Sequence, residues 1–200
     1  RMAKSSVLHS YGAREEVFCE GDEINSLLLV LEGDVCAVKR SSDGREQVLA
    51  HLKAGDLISL APLLLQKNAC HTESGRASQP TKVLSISLEL FHEIAESSPE
   101  FHRALQRCLA GRLEQLSFLA ASLSLQSARS RLAAFLIRQA DQGGQPAGIT
   151  QEEIAAEIGT VREIVARLLR DFARAGWLER KRQHLALKNR AALEEEAQRW

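Results

Sequence analysis

Residues 150–177, TQEEIAAEIGTVREIVARLLRDFARAGW, restrict the fold more than any other part of this chain. Thr150 with Glu153 three residues on has the form of a capping box, in which hydroxyl and carboxylate each accept a main-chain amide. A short helix is expected to follow, with Ile154 and Ile158 inward. Gly159 then allows a left-handed turn that other residues resist. Thr160 with Glu163 repeats the capping pattern and is read as the start of a second helix. Two capped helices joined by a tight glycine turn make a helix-turn-helix.

The second helix has two unlike sides. Val161, Val165, Leu168 and Phe172 fall at i, i+4, i+7 and i+11 and are expected to pack inward. Arg162, Glu163, Ala166, Arg167 and Arg170 fall on the opposite side. The first turn of a recognition helix enters the major groove. There an arginine can donate twice to guanine O6 and N7, and a glutamate can accept from cytosine N4. Arg162, Glu163 and Arg167 are therefore the candidate base readers, with Ala166 small enough for close approach. Thr160 at the helix start and Arg170 further along are candidate phosphate contacts. An Arg/Glu face is also ordinary solvated surface; the capped helix and glycine turn ahead of it favour DNA. Residues 177–179 and 185–187 can pair as a two-stranded wing whose tip carries Lys181 and Arg182, two further phosphate contacts. Residues 189–198 read as a capped helix with an acidic outer face.

Charge supports this placement. The 200-residue chain has 26 Lys+Arg and 26 Asp+Glu, for no net charge. Residues 158–190, however, hold nine basic side chains and three acidic ones. A local basic surplus indicates a polyanionic partner better than the total does. The apolar runs are far shorter than the roughly 20 residues of a bilayer-spanning helix. Residues 1–10 lack the apolar core of a secretory signal, so no membrane role and a cytoplasmic location are expected. Cys19, Cys36, Cys70 and Cys108 form no CxxC pair, so they read as reduced thiols and no metal site is assigned. No Ser/His/Asp order, glycine-rich phosphate loop or HExxH motif suggests an enzyme.

The first part of the chain has another texture. Short Val-, Leu- and Ile-rich runs at residues 26–31, 35–38, 47–52 and 82–88 are cut by Gly-Asp turns, with Asp43-Gly44 the best hairpin signal. They predict an antiparallel β-roll of jelly-roll type. After residue 88 helical periodicity takes over. Ser98 caps a helix that opens with Pro99, and His102, Leu105, Leu109, Arg112, Leu116, Leu119 and Leu123 are spaced alternately three and four apart. Leu105, Leu109, Arg112, Leu116, Leu119 and Leu123 are the expected seam of a homodimer; Arg112 would snorkel or pair across the two-fold axis. A hinge is expected at residues 124–127, then a helix over 128–140. The fold class is thus α+β: a sensor domain at 1–98, a dimerisation helix at 99–124 and a winged helix-turn-helix domain at 125–200.

This arrangement resembles the CRP/FNR family of bacterial transcription regulators over essentially the whole chain. The strongest match is GTVREIVARLL, which carries Arg162, Glu163 and Arg167 in the family's pattern of Arg-Glu, three residues, Arg. The glycine turns at Gly21, Gly33 and Gly55 and the Glu20-Gly21-Asp22 run fit the family's cyclic-nucleotide-binding β-roll. The resemblance implies a dimer on palindromic double-stranded DNA, half-sites related to TGTGA or TTGAT, and RNA polymerase as a further partner. The family has more chain ahead of its first strand, which raises the expectation of a truncated N-terminus.

The departures concern the effector. Members that bind cyclic AMP have Gly-Glu after the Gly-Asp turn, and later Arg-Ser or Arg-Thr for the cyclic phosphate. Here those slots hold Ser59-Leu60 and His71-Thr72. Leucine accepts no hydrogen bond and a neutral histidine is a poor phosphate clamp, so conventional cyclic AMP binding is not expected. The pocket candidates are Ser59, Leu60, Cys70, His71 and Thr72. Cys70 and His71 are ligand types that haem accepts, so the effector stays open between haem, thiol redox, another small molecule and none. The alternative from another class is a cyclic-nucleotide-binding module with no DNA role.

Overall fold

The computed structural model describes residues 6–65, 68–141, 149–180 and 185–199. The chain forms two compact units. One takes the chain to Lys39 together with Leu49–Ser117; the other takes Arg40–Val48 and the chain from Phe118 onward.

The first unit is built on two four-stranded sheets. Its elements are β1 (Ser6–Tyr11), β2 (Glu16–Phe18), β3 (Ser26–Glu32), β4 (Asp34–Arg40), β5 (Glu46–Lys53), β6 (Leu57–Ile58), α1 (Leu60–Leu65), β7 (Ser74–Ala77) and β8 (Thr81–Ser87). One sheet has the order β1-β8-β3-β6 and the other β2-β7-β4-β5. Alternate residues point to one face of a strand, so each sheet turns an apolar set inward. Val30, Ile58 and Val83 from the first sheet meet Phe18, Val35, Ala37 and Leu52 from the second in one buried cluster. Gly33, at φ +91°, makes the β3–β4 turn; a side chain there would strike the main chain of Pro80 and Thr81. The four expected strands are present. The sequence reading missed the short or polar β1, β2, β6 and β7, which lack a run of apolar residues.

Two helices follow, α2 (Leu88–Ser97) and α3 (Pro99–Leu125). The Ser98 hydroxyl accepts from the Phe101 amide at 3.2 Å and caps α3, as its sequence implies. The start of α3 closes a second core, in which Leu105 joins Ile24, Leu27, Leu60, Leu63 and Phe91, with Leu109 packed alongside.

This packing covers the first residues of the expected dimer seam. Leu105 is 5% exposed and Leu109 half-buried, both spent on their own unit. Arg112 also turns inward: its Nη2 lies 3.4 Å from Glu73 Oε1, and Nη1 donates to the Leu49 carbonyl at 3.4 Å. The heptad stripe is one helical face, and its first half has a sheet domain to cover. Leu116 and Leu123 are exposed and Leu119 half-exposed, with Leu113 and Phe118 also open to solvent.

The second unit carries α4 (Ala128–Asp141), α5 (Gln151–Ile158), α6 (Arg162–Arg174), β9 (Leu178–Arg180), β10 (Leu185–Leu187) and α7 (Arg190–Ala197). The expected hinge is shorter than read: α3 continues through Ser124 and Leu125, leaving Gln126 and Ser127 between helices. The capping box at Thr150 is present, with Thr150 N–H to Glu153 Oε2 at 2.7 Å and Glu153 N–H to Thr150 Oγ1 at 3.1 Å. Gly159 takes φ +64° and ψ 54°, and the Thr160 amide closes back on the Ala155 carbonyl at 3.0 Å. The second capping box is not formed. Thr160 is used in finishing α5, so Val161 becomes the N-cap of α6 and offers no side-chain hydrogen bond.

One core joins these helices: Leu132, Phe135, Leu136, Ile154, Ile158, Val165, Leu168, Phe172, Leu178 and Leu193. Phe172 is fully buried there. Phe172→Ala should destabilise the second unit by about 3–5 kcal/mol through lost burial and the cavity left behind. Urea unfolding followed by circular dichroism checks this, and a loss under about 1 kcal/mol would mean the site collapses to fill the gap.

Candidate nucleic-acid interface

The amphipathic split of α6 decides which side chains face solvent. Val165, Leu168 and Phe172 are buried, and Arg162, Glu163, Arg167 and Arg170 are exposed on the other side, with Ala166 half-buried between them. The structure brings all three expected base readers onto one open face. Arg162 Nε lies 3.1 Å from Glu152 Oε1 on α5, a pair exposed enough to be exchanged for other partners. Arg167 has no hydrogen bond or ion pair among the described residues. Arg170 donates from Nε to the Ala166 carbonyl at 3.2 Å, which bends it along the helix. Thr160 precedes the helix by two residues, and no side chain caps the α6 amides next to it. These uncapped amides can hold a phosphate.

The wing strands pair antiparallel, Leu185 with Arg180 and Leu187 with Leu178, one residue later than the sequence suggests for the first strand. Lys181 and Arg182 lie outside the described residues. Sequence reasoning missed a support for this region. The guanidinium of Arg129 sits 4.6 Å from the Phe172 ring centroid and 5.0 Å from that of Trp177, and its Nε is 3.3 Å from Glu196 Oε2. It braces the back of α6 through cation–π contact with two aromatic rings. Nothing in a single sequence links Arg129 to Phe172, 43 positions away.

In the first unit the expected pocket residues divide. Ser59 and His71 come together, with Ser59 Oγ 2.6 Å from His71 Nδ1. Ser59 holds φ +54°, a conformation rare for a residue with a side chain. The His71 ring packs on Phe18 at 4.7 Å between centroids, and its main chain is tied to Asp22 and Gly21. Leu60 is buried in the core. Cys70 and Thr72 are exposed, whereas His71 is buried. The Thr72 carbonyl instead accepts from Lys39 Nζ at 2.8 Å. Next to it Glu73 is drawn toward Arg112; burial pushes its carboxyl pKa up, against the pull of Arg112 and Lys39. Among the described residues, every buried side-chain nitrogen and oxygen has a partner.

Comparison with known proteins agrees with this geometry. The cyclic nucleotide-binding domain matches residues 8–98 and the Crp-like helix-turn-helix domain residues 130–196. The chain is 29% identical over 170 residues to a CRP-like cAMP-activated global transcriptional regulator of Mycobacterium tuberculosis, covering 81% of this chain and 75% of that protein. It is 30% identical to the catabolite activator protein of Thermus thermophilus, covering 96% and 90% of the two chains with a TM-score of 0.51. A transcriptional regulator structure from Eubacterium rectale shares the fold at a TM-score of 0.86 and 22% identity, over 98% of this chain and 91% of that one. No helix among the described residues is long and apolar enough to cross a membrane.

Burial holds His71 below the ordinary imidazole value of 6.5, against an opposing pull from Asp22. Below that pH the unfolded chain binds a proton that the native chain resists, so stability falls as pH drops from about 6.5. His71→Gln should make that fall shallower. Urea midpoints at pH 7.5 and 5.5 for both proteins check it; equal falls would show that His71 is protonated in place.

Proposed function

The chain belongs to the CRP/FNR family of transcription regulators, and from that premise we propose that it acts as a homodimer that reads palindromic double-stranded DNA with α6. Regulators of this family bind DNA as dimers, and the family is one of regulators rather than enzymes. The observation that carries the reading is the open face of α6, where Arg162, Glu163 and Arg167 stand clear while Val165, Leu168 and Phe172 hold the helix from behind. Arg167 is the principal reader, because no side chain among the described residues competes for it. Arg162 exchanges Glu152 for a base, and Glu163 accepts from a cytosine. Thr160, Arg170, Lys181 and Arg182 hold phosphates and fix the register.

The dimer forms along the later part of α3, through Leu116, Leu119 and Leu123 with Leu113 beside them. RNA polymerase is the further partner, and the cytoplasm the place of action. The effector is not cyclic AMP held in the usual way. Leu60 is buried where a ribose-binding carboxylate would stand, and His71 is engaged by Ser59 and Phe18 where a phosphate-binding arginine would stand. No resident cofactor is assigned.

A preferred duplex selected from random sequence gives the test. Arg167→Ala should cost about 1–3 kcal/mol on that site and relax the choice of one base, while Arg170→Ala weakens all sequences alike. Fluorescence titration at two salt concentrations reads both, and an equal loss on every sequence would reduce Arg167 to a phosphate contact.

Leu116→Asp should convert the dimer to monomer at micromolar concentration, read by sedimentation velocity. An unchanged dimer would place the interface elsewhere.

A further inference from the structure

Arg131, in the first turn of α4, turns its guanidinium onto four main-chain carbonyls. Nε donates to Ile158 O at 2.6 Å, and Nη2 to Gly159 O at 3.3 Å. Nη1 donates to Gln126 O at 2.5 Å and to Ser122 O at 3.3 Å. The first pair of acceptors ends α5, at the reversal that leads into α6. The second pair ends α3. Carbonyls at a helix C-terminus lack intrahelical donors and carry partial negative charge. One planar fork with five donors therefore finishes two helix ends together. A lysine, with a single ammonium on a flexible stem, cannot span both pairs. The same end of α3 is held a second way: the Ser122 hydroxyl donates to Gln126 Oε1 at 2.7 Å, and the Gln126 amide reaches the Ala197 carbonyl at 3.4 Å. The contacts to Ile158 and Gly159 tie the turn ahead of α6 to this end.

We propose that Arg131 is a positioning residue for DNA recognition, fixing the direction of α6 against the last turns of α3 and thereby the separation of the two α6 helices in the dimer. This rests on the dimeric DNA-reading function above. A residue that only stabilised the fold would, when altered, weaken binding to every duplex by one factor. A residue that sets direction would, when altered, blur the preference for one half-site spacing. Each added base pair moves a half-site by about 3.4 Å and turns it by roughly 35°, so spacing is a sensitive reporter.

The test uses the full chain with Arg131→Lys and Arg131→Met. Each protein is titrated with the palindrome that the wild type selects, and with the same half-sites moved one and two base pairs apart. The wild type should prefer its own spacing on the order of tenfold or more, a ratio equivalent to about 1.4 kcal/mol. Both variants should lose most of that ratio while remaining dimers of unchanged mass. A uniform drop on all spacings would overturn the proposal. A wild type that binds no duplex, or all spacings equally, would overturn the dimeric reading and the proposal with it. Should neither variant fold, hydrogen exchange on the wild type decides. The Gln126 and Thr160 amides, one beside each pair of carbonyls, should open with a common free energy, and separate opening would overturn it.

Discussion

Burial of Val165, Leu168 and Phe172 governs the second unit. These three side chains can reach the core only if α6 presents one stripe to it, and a helix has just one opposite side. Arg162, Glu163, Arg167 and Arg170 are therefore in solvent because the apolar stripe is not. The rest of the unit serves that orientation. Phe135, Leu136 and Ile154 supply the surface beneath, Arg129 presses on Phe172 and Trp177 from behind, and the Gly159 turn delivers the helix at the required angle. Affinity for DNA then follows from charge, and choice of sequence from the few side chains that reach base edges.

The first unit is held by a shared core and by polar pairs within the chain. The two sheets and their shared core follow from alternating apolar residues and glycine turns, none of which depends on a ligand. Several polar groups of this unit satisfy one another. Ser59 meets His71, Lys39 meets Glu20 and the Thr72 carbonyl, and Arg112 meets Glu73. A buried polar group without a partner is costly, so pairings such as Ser59 with His71 and Arg112 with Glu73 stabilise this unit. The Ser59–His71 contact is short, and burial lowers the pKa of that histidine.

Helix α3 illustrates the limit of periodicity. The stripe from Leu105 to Leu123 is continuous in sequence, and a single face of a helix does carry it. What the helix meets along its length is not written in the period. Leu105 and Leu109 close the core beside Phe91, and Arg112 leaves the stripe to pair with Glu73, 39 positions earlier. Leu116 and Leu123, further along the helix, stay exposed.

The sequence by itself determined the four longer apolar strands, the helix-turn-helix and the two faces of α6, and it set Leu60 and His71 at the slots where the resemblance implies ribose and phosphate contacts. Each of these rests on short-range rules, such as capping at Thr150, the left-handed Gly159, helical spacing, and the chemistry of a leucine or a histidine at a given slot. Tertiary structure alone decided that Thr160 finishes α5 instead of capping α6, that Arg112 and Leu105 turn inward, that Ser59 engages His71, and that Arg131 joins two helix ends. These outcomes depend on which distant polar groups arrive within about 3 Å of one another. That distance is fixed by packing of the whole unit, and no spacing along the chain encodes it.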